Sequence, residues 1–508
     1  MNRIVKYSKT AAFLAGALSV PAFAPYYCTG CAFLSLGILL YLLLKAEGYR
    51  RAFGIGYAFG FSHFALGFSW VGNALLIEPE KFGWLYPITL AAAGGFFGLF
   101  VALPAMLSFF AEKNWQKWLS FAAWFVVFEW VRSFLFTGFP WNLSGYILAF
   151  NDNLIQAASV GGAYLLSLAV VLTCSIWGLW AAERNIKVFA ACVGWTVLVI
   201  LCLLGGGVYR LGEAKQTDSD VIVRIVQPSI PQQMKWNRDI LEANFQSYLD
   251  LSSVSGEQEP DFIVWGETAS PFRLDVDEEH AKQAARVIPD KGYLITGMIS
   301  VQAAKGGYLP HNSMAVIDKT GTVRAYYHKS HLVPFGEYIP LREYLPEFVR
   351  PVANAIGTFG RGNGPEKIVL SGLPALGGII CYEAIFPHEV VNQAQRPDFL
   401  VNLTNDGWYG HSAGPYQHWA ATRFRAVEEG IVIVRAANNG ISGVIDAYGR
   451  VKAMLPLDYT GTLDVRLPEL VSHATFYSRF GNSVILTFCL ILLFLGSIKV
   501  KNRRFGLK

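Results

Sequence analysis

Apolar residues along this 508-residue chain gather into long blocks rather than alternating evenly with polar ones. Seven blocks precede residue 210, at roughly 10–27, 30–45, 52–77, 84–111, 118–136, 155–182 and 188–208, and one more covers 483–499. A helix that crosses a bilayer needs about 20 mostly apolar residues. The pattern therefore predicts a helical membrane domain over 1–210, a polar domain over 220–470 and a final span at 483–499.

Within the polar stretch the period shortens. Strands are predicted at 221–227 ("VIVRIVQ"), 261–267 ("DFIVWGE"), 293–300, 312–318, 321–329, 376–382 ("LGGIICY"), 398–406, 430–437 and 440–449. Helical patterns fall at about 238–252, 278–287, 385–394 and 415–429. Strands and helices mixed in this way predict a layered α/β domain whose sheets are largely covered. Polar linkers near 210–219 and 470–482 would tie it to the flanking spans.

Composition and charge sharpen the topology. Charged residues make up 16% of the chain, against about 25% in an average soluble protein. Every second connection between blocks is basic: Arg3, Lys6 and Lys9; Lys45, Arg50 and Arg51; Lys113 and Lys117; Arg184 and Lys187; and the tail Lys499, Lys501, Arg503, Arg504 and Lys508. Basic loops stay on the cytoplasmic side, so both termini are expected there and the polar domain outside. The first block also resembles a secretory signal ending in "AFA" at 22–24, but Pro25 disfavours cleavage, and an uncleaved span is expected. The net charge of +5 lies mostly on this rim, which suits a membrane surface and not nucleic acid.

Candidate chemistry sits at strand ends. Glu267 closes one strand, Lys329 another and Cys381 a third, separated by 62 and 52 residues. Acyl transfer through a thiol needs a nucleophile, a base for its proton and a cation for the developing oxyanion. A Cys between a strand and a helix N-terminus would also gain thiolate character from the dipole and a nearby ammonium. Cys174, Cys192, Cys202 and Cys489 lie in apolar blocks, and Cys28 and Cys31 form an isolated CxxC with no redox context. Cys381 is thus the one thiol of the polar domain.

The stretches "WGETA", "HKSHLVPFGEY" and "GGIICYEAIFP" resemble the three motifs of the nitrilase, or carbon–nitrogen hydrolase, superfamily over roughly 220–455. The resemblance implies a four-layer αββα sandwich. It makes Glu267 the general base, Lys329 the oxyanion-stabilising lysine, Cys381 the nucleophile and Glu337 a second glutamate that helps hold the site. The Tyr382 N–H would complete the oxyanion hole. Trp236, Asn312, Tyr382 and Glu383 match supporting positions.

With its spans included, the whole chain is similar to the apolipoprotein N-acyltransferase family. That likeness implies a bacterial inner-membrane enzyme with its catalytic domain in the periplasm. A phospholipid would be the acyl donor, and the diacylglyceryl-cysteine of an apolipoprotein the acceptor, through a Cys381 thioester. The spans are expected to keep the chain monomeric.

Two other readings use the same residues. One is a membrane-tethered amidase or nitrilase acting on a small amide; the other is a transporter or scaffold with a degenerate nitrilase-like domain. Phosphate loops, dinucleotide fingerprints and metal-ligand spacings are missing from the sequence, and His328, His331, His411 and His418 lack Cys or carboxylate partners at such spacing. No cofactor or metal is expected. Glu129 and Arg132 lie three apart on one face of the fifth span, where intramembrane charges either mark function or pair with each other near the outer boundary; the sequence leaves their role open. The proline-punctuated segment 332–356 is expected to act as a lid or membrane-facing arm.

Overall fold

The computed structural model describes residues 7–214, 217–304, 307–340, 358–470 and 474–498. Arg3, Lys6, the basic tail from Lys499 and most of the expected lid (341–356) lie outside the described residues.

The apolar blocks are helical. They form Ser8–Ser19, Thr29–Leu44, Tyr49–Gly67, Tyr86–Phe97, Leu99–Ser108, Asn114–Val131, Ala158–Glu183 and Ile186–Gly212, with Ser483–Ser497 after the polar domain. Three helical runs, Pro79–Ser108, Leu154–Glu183 and Ile186–Gly212, are long and apolar enough to cross a membrane by length and composition; Thr29–Leu44 and Ser483–Ser497 are shorter apolar helices. Ser483–Ser497 packs on Asn114–Val131 so closely that a Cβ on Gly496 would lie 2.4 Å from the Ser120 hydroxyl.

The polar domain holds two six-stranded sheets. The first contains β1 (Asp218–Gln227), β2 (Phe262–Val264), β3 (Tyr293–Ala304), β4 (Gly307–Asp318), β5 (Val323–His328) and β12 (Gly461–Pro468), in the order β12-β1-β2-β3-β4-β5. The second contains β6 (Lys367–Ile368), β7 (Leu376–Ile380), β8 (Phe399–Thr404), β9 (Val432–Ala437), β10 (Ser442–Ile445) and β11 (Val451–Leu455), in the order β11-β10-β9-β8-β7-β6. Strands β1, β2 and β3 run parallel, as do β7, β8 and β9, while the outer strands are antiparallel.

Alternation along each strand explains the layering. Phe262 and Val264 of β2 face Phe399, Val401 and Leu403 of β8 in the core between the sheets. Ile263 and Trp265 point the other way, onto helices Leu241–Ser252 and Glu278–Val287. On the far side, Ile379, Leu400 and Ile433 meet Trp419 and Ala426 of helix Gly414–Glu429. The result is the αββα sandwich, and each such large buried side chain contributes about 1.5–3 kcal/mol. The sheets approach closely at Gly378, where a Cβ would lie 2.5 Å from the Tyr327 ring.

Helix Gly414–Glu429 has a second buried face. Ala420, Ala421, Phe424 and Val427 join the core of the membrane helices, together with Tyr382, Ile385 and Phe386. Near its C-terminus, Glu428 accepts a 2.7 Å hydrogen bond from the Ala163 N–H, where Ala158–Glu183 kinks at Gly162 (φ +70°) around Tyr477. The catalytic layers are therefore seated on the membrane domain.

Three expectations need correction. The helix expected at 385–394 does not form: a 3-10 turn, Cys381–Ile385, is followed by irregular chain with His388 at φ +67° and a second short turn at Gln393–Gln395. Its apolar residues serve two cores, Ile385 and Phe386 the membrane domain, Val390 and Val391 the second sheet, and one helix face could not reach both. The stretch taken as the 470–482 linker contains a packed helix, Phe476–Phe480, with Tyr477 fully buried. Strands β6, β11 and β12 lie outside the predicted set; two of them have alternately exposed residues and so a weak apolar signal.

Candidate active site

Strand ends bring the three expected residues to one rim between the sheets. Glu267 follows β2, Lys329 follows β5 and Cys381 follows β7. All are buried, Lys329 to 1% exposure and Glu267 and Cys381 to 6% each. Two of the turns bend through left-handed backbone, Thr268 at φ +45° and Cys381 itself at φ +47°. Such strain persists only where the surroundings over-determine it.

Lys329 Nζ donates to Glu337 Oε1 at 3.0 Å and lies 3.4 Å from Glu267 Oε1. Asn312 Nδ2 bridges the same two oxygens, at 2.8 Å each. Glu337 is fixed in turn by the Val333 N–H at 2.8 Å. Burial disfavours the Lys329 ammonium, but Glu337 and Glu267 outweigh it, and the group is held above the ordinary lysine range. The fold thus brings Asn312 and Glu337 together with Glu267 and Lys329.

Glu383 is turned away from the reacting atoms. Its Oε1 accepts from the Tyr327 hydroxyl, the Ser330 N–H and hydroxyl and the His331 N–H, and its Oε2 accepts from the Ile380 N–H. It ties the loop carrying Lys329 to the strand carrying Cys381. The Tyr382 side chain reaches the membrane domain, where its hydroxyl donates to the Gly138 carbonyl at 2.5 Å beside the Phe139 ring. His331 Nε2 and the Tyr338 hydroxyl donate to Thr137 in the same loop. Trp236 is 47% exposed, outside this buried cluster.

The thiol departs from expectation. Burial, with Glu267 and Asp406 adding, pushes Cys381 up to about 12, against the opposing pull of Lys329 and Thr404. Because a 3-10 turn replaces the expected α-helix, no helix dipole offsets that burial. The resting group is a neutral thiol, so attack needs a base at the moment of reaction.

Several residues of the site lie beyond the motifs. Lys235 is buried, and its Nζ donates to the Glu267 carbonyl oxygen at 2.7 Å. His418 Nε2 donates to the Cys381 carbonyl at 3.0 Å, and its Nδ1 lies 2.9 Å from Asp406 Oδ1. Asp406 Oδ2 accepts from Arg435 at 2.8 Å. Arg435 and His418 outweigh burial and hold Asp406 down to about 2. The Thr404 hydroxyl donates to Asp406 Oδ1 at 3.1 Å, and the Tyr409 ring lies against His418. The strand-end logic that found Glu267 also applies to Asp406, just beyond β8; nothing local distinguishes Lys235 or His418.

Glu129 and Arg132 organise the loop that meets the site. Glu129 Oε1 accepts from the Ser144 N–H and hydroxyl, each at 2.8 Å, and Arg132 Nη1 donates to the carbonyls of Phe139 and Trp141. Their hydrogen bonds run to residues 139–144 and not to each other.

A two-sheet αββα domain with a buried Glu, Lys and Cys on one rim defines a carbon–nitrogen hydrolase fold, and the carbon–nitrogen hydrolase family model matches residues 222–474. A second model, the apolipoprotein N-acyltransferase N-terminal domain, matches 15–176. Apolipoprotein N-acyltransferase from Rickettsia typhi is 34% identical over 482 residues, covering 94% of this chain and 96% of the relative. That from Rhodopseudomonas palustris is 36% identical, covering 92% and 91%. An amidase of the nitrilase superfamily from Nesterenkonia is a distant structural neighbour, 16% identical with a TM-score of 0.38, covering 54% of this chain and 98% of its own. The chain belongs to the apolipoprotein N-acyltransferase family, and it is a membrane protein.

Proposed function

We propose that this protein transfers an acyl chain from a phospholipid to the N-terminal amino group of the diacylglyceryl-cysteine of an apolipoprotein, through a thioester on Cys381. The observation that carries the reading is a buried thiol, 6% exposed, on a nitrilase-like rim whose next residue is bonded to the membrane domain. Lipid-anchored substrates need a site at that junction. A small-amide hydrolase would not, and the family likeness extends over the helical region as well.

In the first half-reaction Glu267 takes the Cys381 proton as sulfur attacks the donor's ester carbonyl. Lys329, always charged, and the Tyr382 N–H stabilise the oxyanion. Collapse expels the glycerol alkoxide, which takes the proton from Glu267 and leaves as lysophospholipid. The acceptor's amine then attacks the thioester, Glu267 takes a proton from nitrogen, and sulfur departs to recover it. Burial of Cys381 keeps water from the thioester between the halves. Asn312 and Glu337 hold Lys329 and Glu267 in register, while Glu383 and Tyr382 set the nucleophile against its neighbours. Trp236, exposed beside Lys235, would meet substrate in this reading. Eight spans, cytoplasmic termini, a periplasmic catalytic domain in the inner membrane and a monomer complete the proposal.

Mass spectrometry of the purified protein after incubation with phospholipid tests it. An acyl-sized adduct on Cys381, removed by hydroxylamine and lost in Cys381→Ala, is expected. Acyl transfer proceeding without any adduct would sink the covalent route.

A further inference from the structure

The buried centre carries two carboxylates, Glu267 and Glu337, and both use Oε1 to face the one ammonium of Lys329. That set alone has a net negative charge, and uncompensated charge in a desolvated site is expensive. A fourth group changes the balance. Lys235, 5% exposed, arrives on the segment after β1 and donates from Nζ to the Glu267 carbonyl oxygen at 2.7 Å. The segment is pinned: Ser229 N–H donates to the Asn438 carbonyl, Asn438 bonds both polar groups of Ile230, and Asn244 donates to the Met234 carbonyl.

The surroundings leave Lys235 little else to serve. Its electrostatic partners are Glu267 and the Cys381 thiol. Glu337 is engaged by Lys329, Asn312 and Val333. Beyond the thiol, Asp406 is neutralised by Arg435 and lies against the His418 ring, which burial and Arg435 keep below the usual histidine range, and Tyr409 presents only a hydroxyl. Glu383 faces residues 330–331 and Ile380. Burial lowers the Lys235 ammonium to about 8, with Glu267 and Cys381 opposing, so it is charged at neutral pH.

We infer that Lys235 is a positioning residue of the acylation step: it holds the main chain of Glu267 and supplies the second positive charge that balances the two buried carboxylates. This rests on the reading of Glu267 as the base. Removing that charge favours a proton on one of the two carboxylates, and a protonated Glu267 cannot accept one from sulfur. Lys235 keeps its own protons while the thiol proton moves to Glu267 and on to the leaving alkoxide.

The test is the single-turnover rate of Cys381 acylation in the full-length protein with phospholipid, followed across pH about 5 to 9, a range centred on neutrality. In Lys235→Met the acidic limb is expected to move up by about one unit, since removing a buried positive charge near Glu267 favours the protonated carboxyl. Acylation at the wild-type midpoint then falls about fivefold beyond any pH-independent loss. Lys235→Arg, which keeps the charge, is expected to restore the wild-type limb even at a lower rate; Lys235→Gln serves if the Met variant does not fold. An acidic limb unmoved in the neutral variants overturns the inference and leaves Lys235 a structural residue. Undiminished acylation in Glu267→Gln overturns the base assignment itself, and this inference with it.

Discussion

Truncating Glu383 separates positioning from proton transfer. Its carboxylate receives three main-chain N–H groups, Ser330 at 2.7 Å, His331 at 3.1 Å and Ile380 at 2.7 Å, together with the hydroxyls of Tyr327 and Ser330. Glu383→Ala strands those donors in a site where Glu383 is only 6% exposed. A buried donor left unpaired costs about 1–3 kcal/mol, so the three N–H groups together cost roughly 3–6 kcal/mol after partial relaxation. That is a large share of the roughly 5–15 kcal/mol that holds a typical protein folded. The remaining Ser330–His331 loop no longer fixes Lys329 against Cys381, and each 1.4 kcal/mol of lost alignment is about tenfold in rate. Thermal unfolding in detergent and the rate of thioester formation are the two assays. Glu383→Ala is expected to melt earlier and to acylate at least about 100-fold more slowly. Glu383→Gln, which keeps one carbonyl oxygen, should fall between it and wild type in both. Wild-type melting and acylation in the Ala variant would refute the positioning role, and recovery of its rate by raising pH would make Glu383 a base.

Other perturbations follow from the same contacts. Arg132→Met removes two charge-assisted bonds to the Phe139 and Trp141 carbonyls, each worth about 1.5–3 kcal/mol; slower acylation with phospholipid-donor turnover as the readout is expected, because the loop it holds carries the Gly138 acceptor for Tyr382. Asp406 is held down to about 2 in the folded protein, so its stabilisation is fully present above about pH 4 and is lost as pH falls through about 2. Asp406→Asn should lower stability by roughly 2 kcal/mol at neutral pH, with the difference from wild type closing toward pH about 2 in denaturant unfolding; an unchanged gap at low pH would contradict the ionised network.

The triad was legible because each member ends a short apolar strand, and strand ends on one rim converge whatever lies between them in sequence. Asn312 and Glu337 were legible by motif, and the structure joins them to Lys329 and Glu267. The helix expected after Cys381 was misread because an apolar run does not say that its residues will be divided between two cores. Glu129 and Arg132 stood out as charges in an apolar block, but their partners, ten or so residues on, depend on a loop that only closes against the catalytic domain.

By itself the sequence determined the membrane helices, the layered α/β domain and the candidate residues Glu267, Lys329 and Cys381 at strand ends, since periodicity and strand-end motifs are local properties of the chain. Only the tertiary structure decided that Lys235 is buried against Glu267, that His418, Asp406 and Arg435 brace the nucleophile, and that Tyr382 is bonded to Gly138, 244 residues away. The protonation of the thiol was decided there too. Burial and charge balance are set by atoms remote in sequence, and no local pattern encodes which of them will meet.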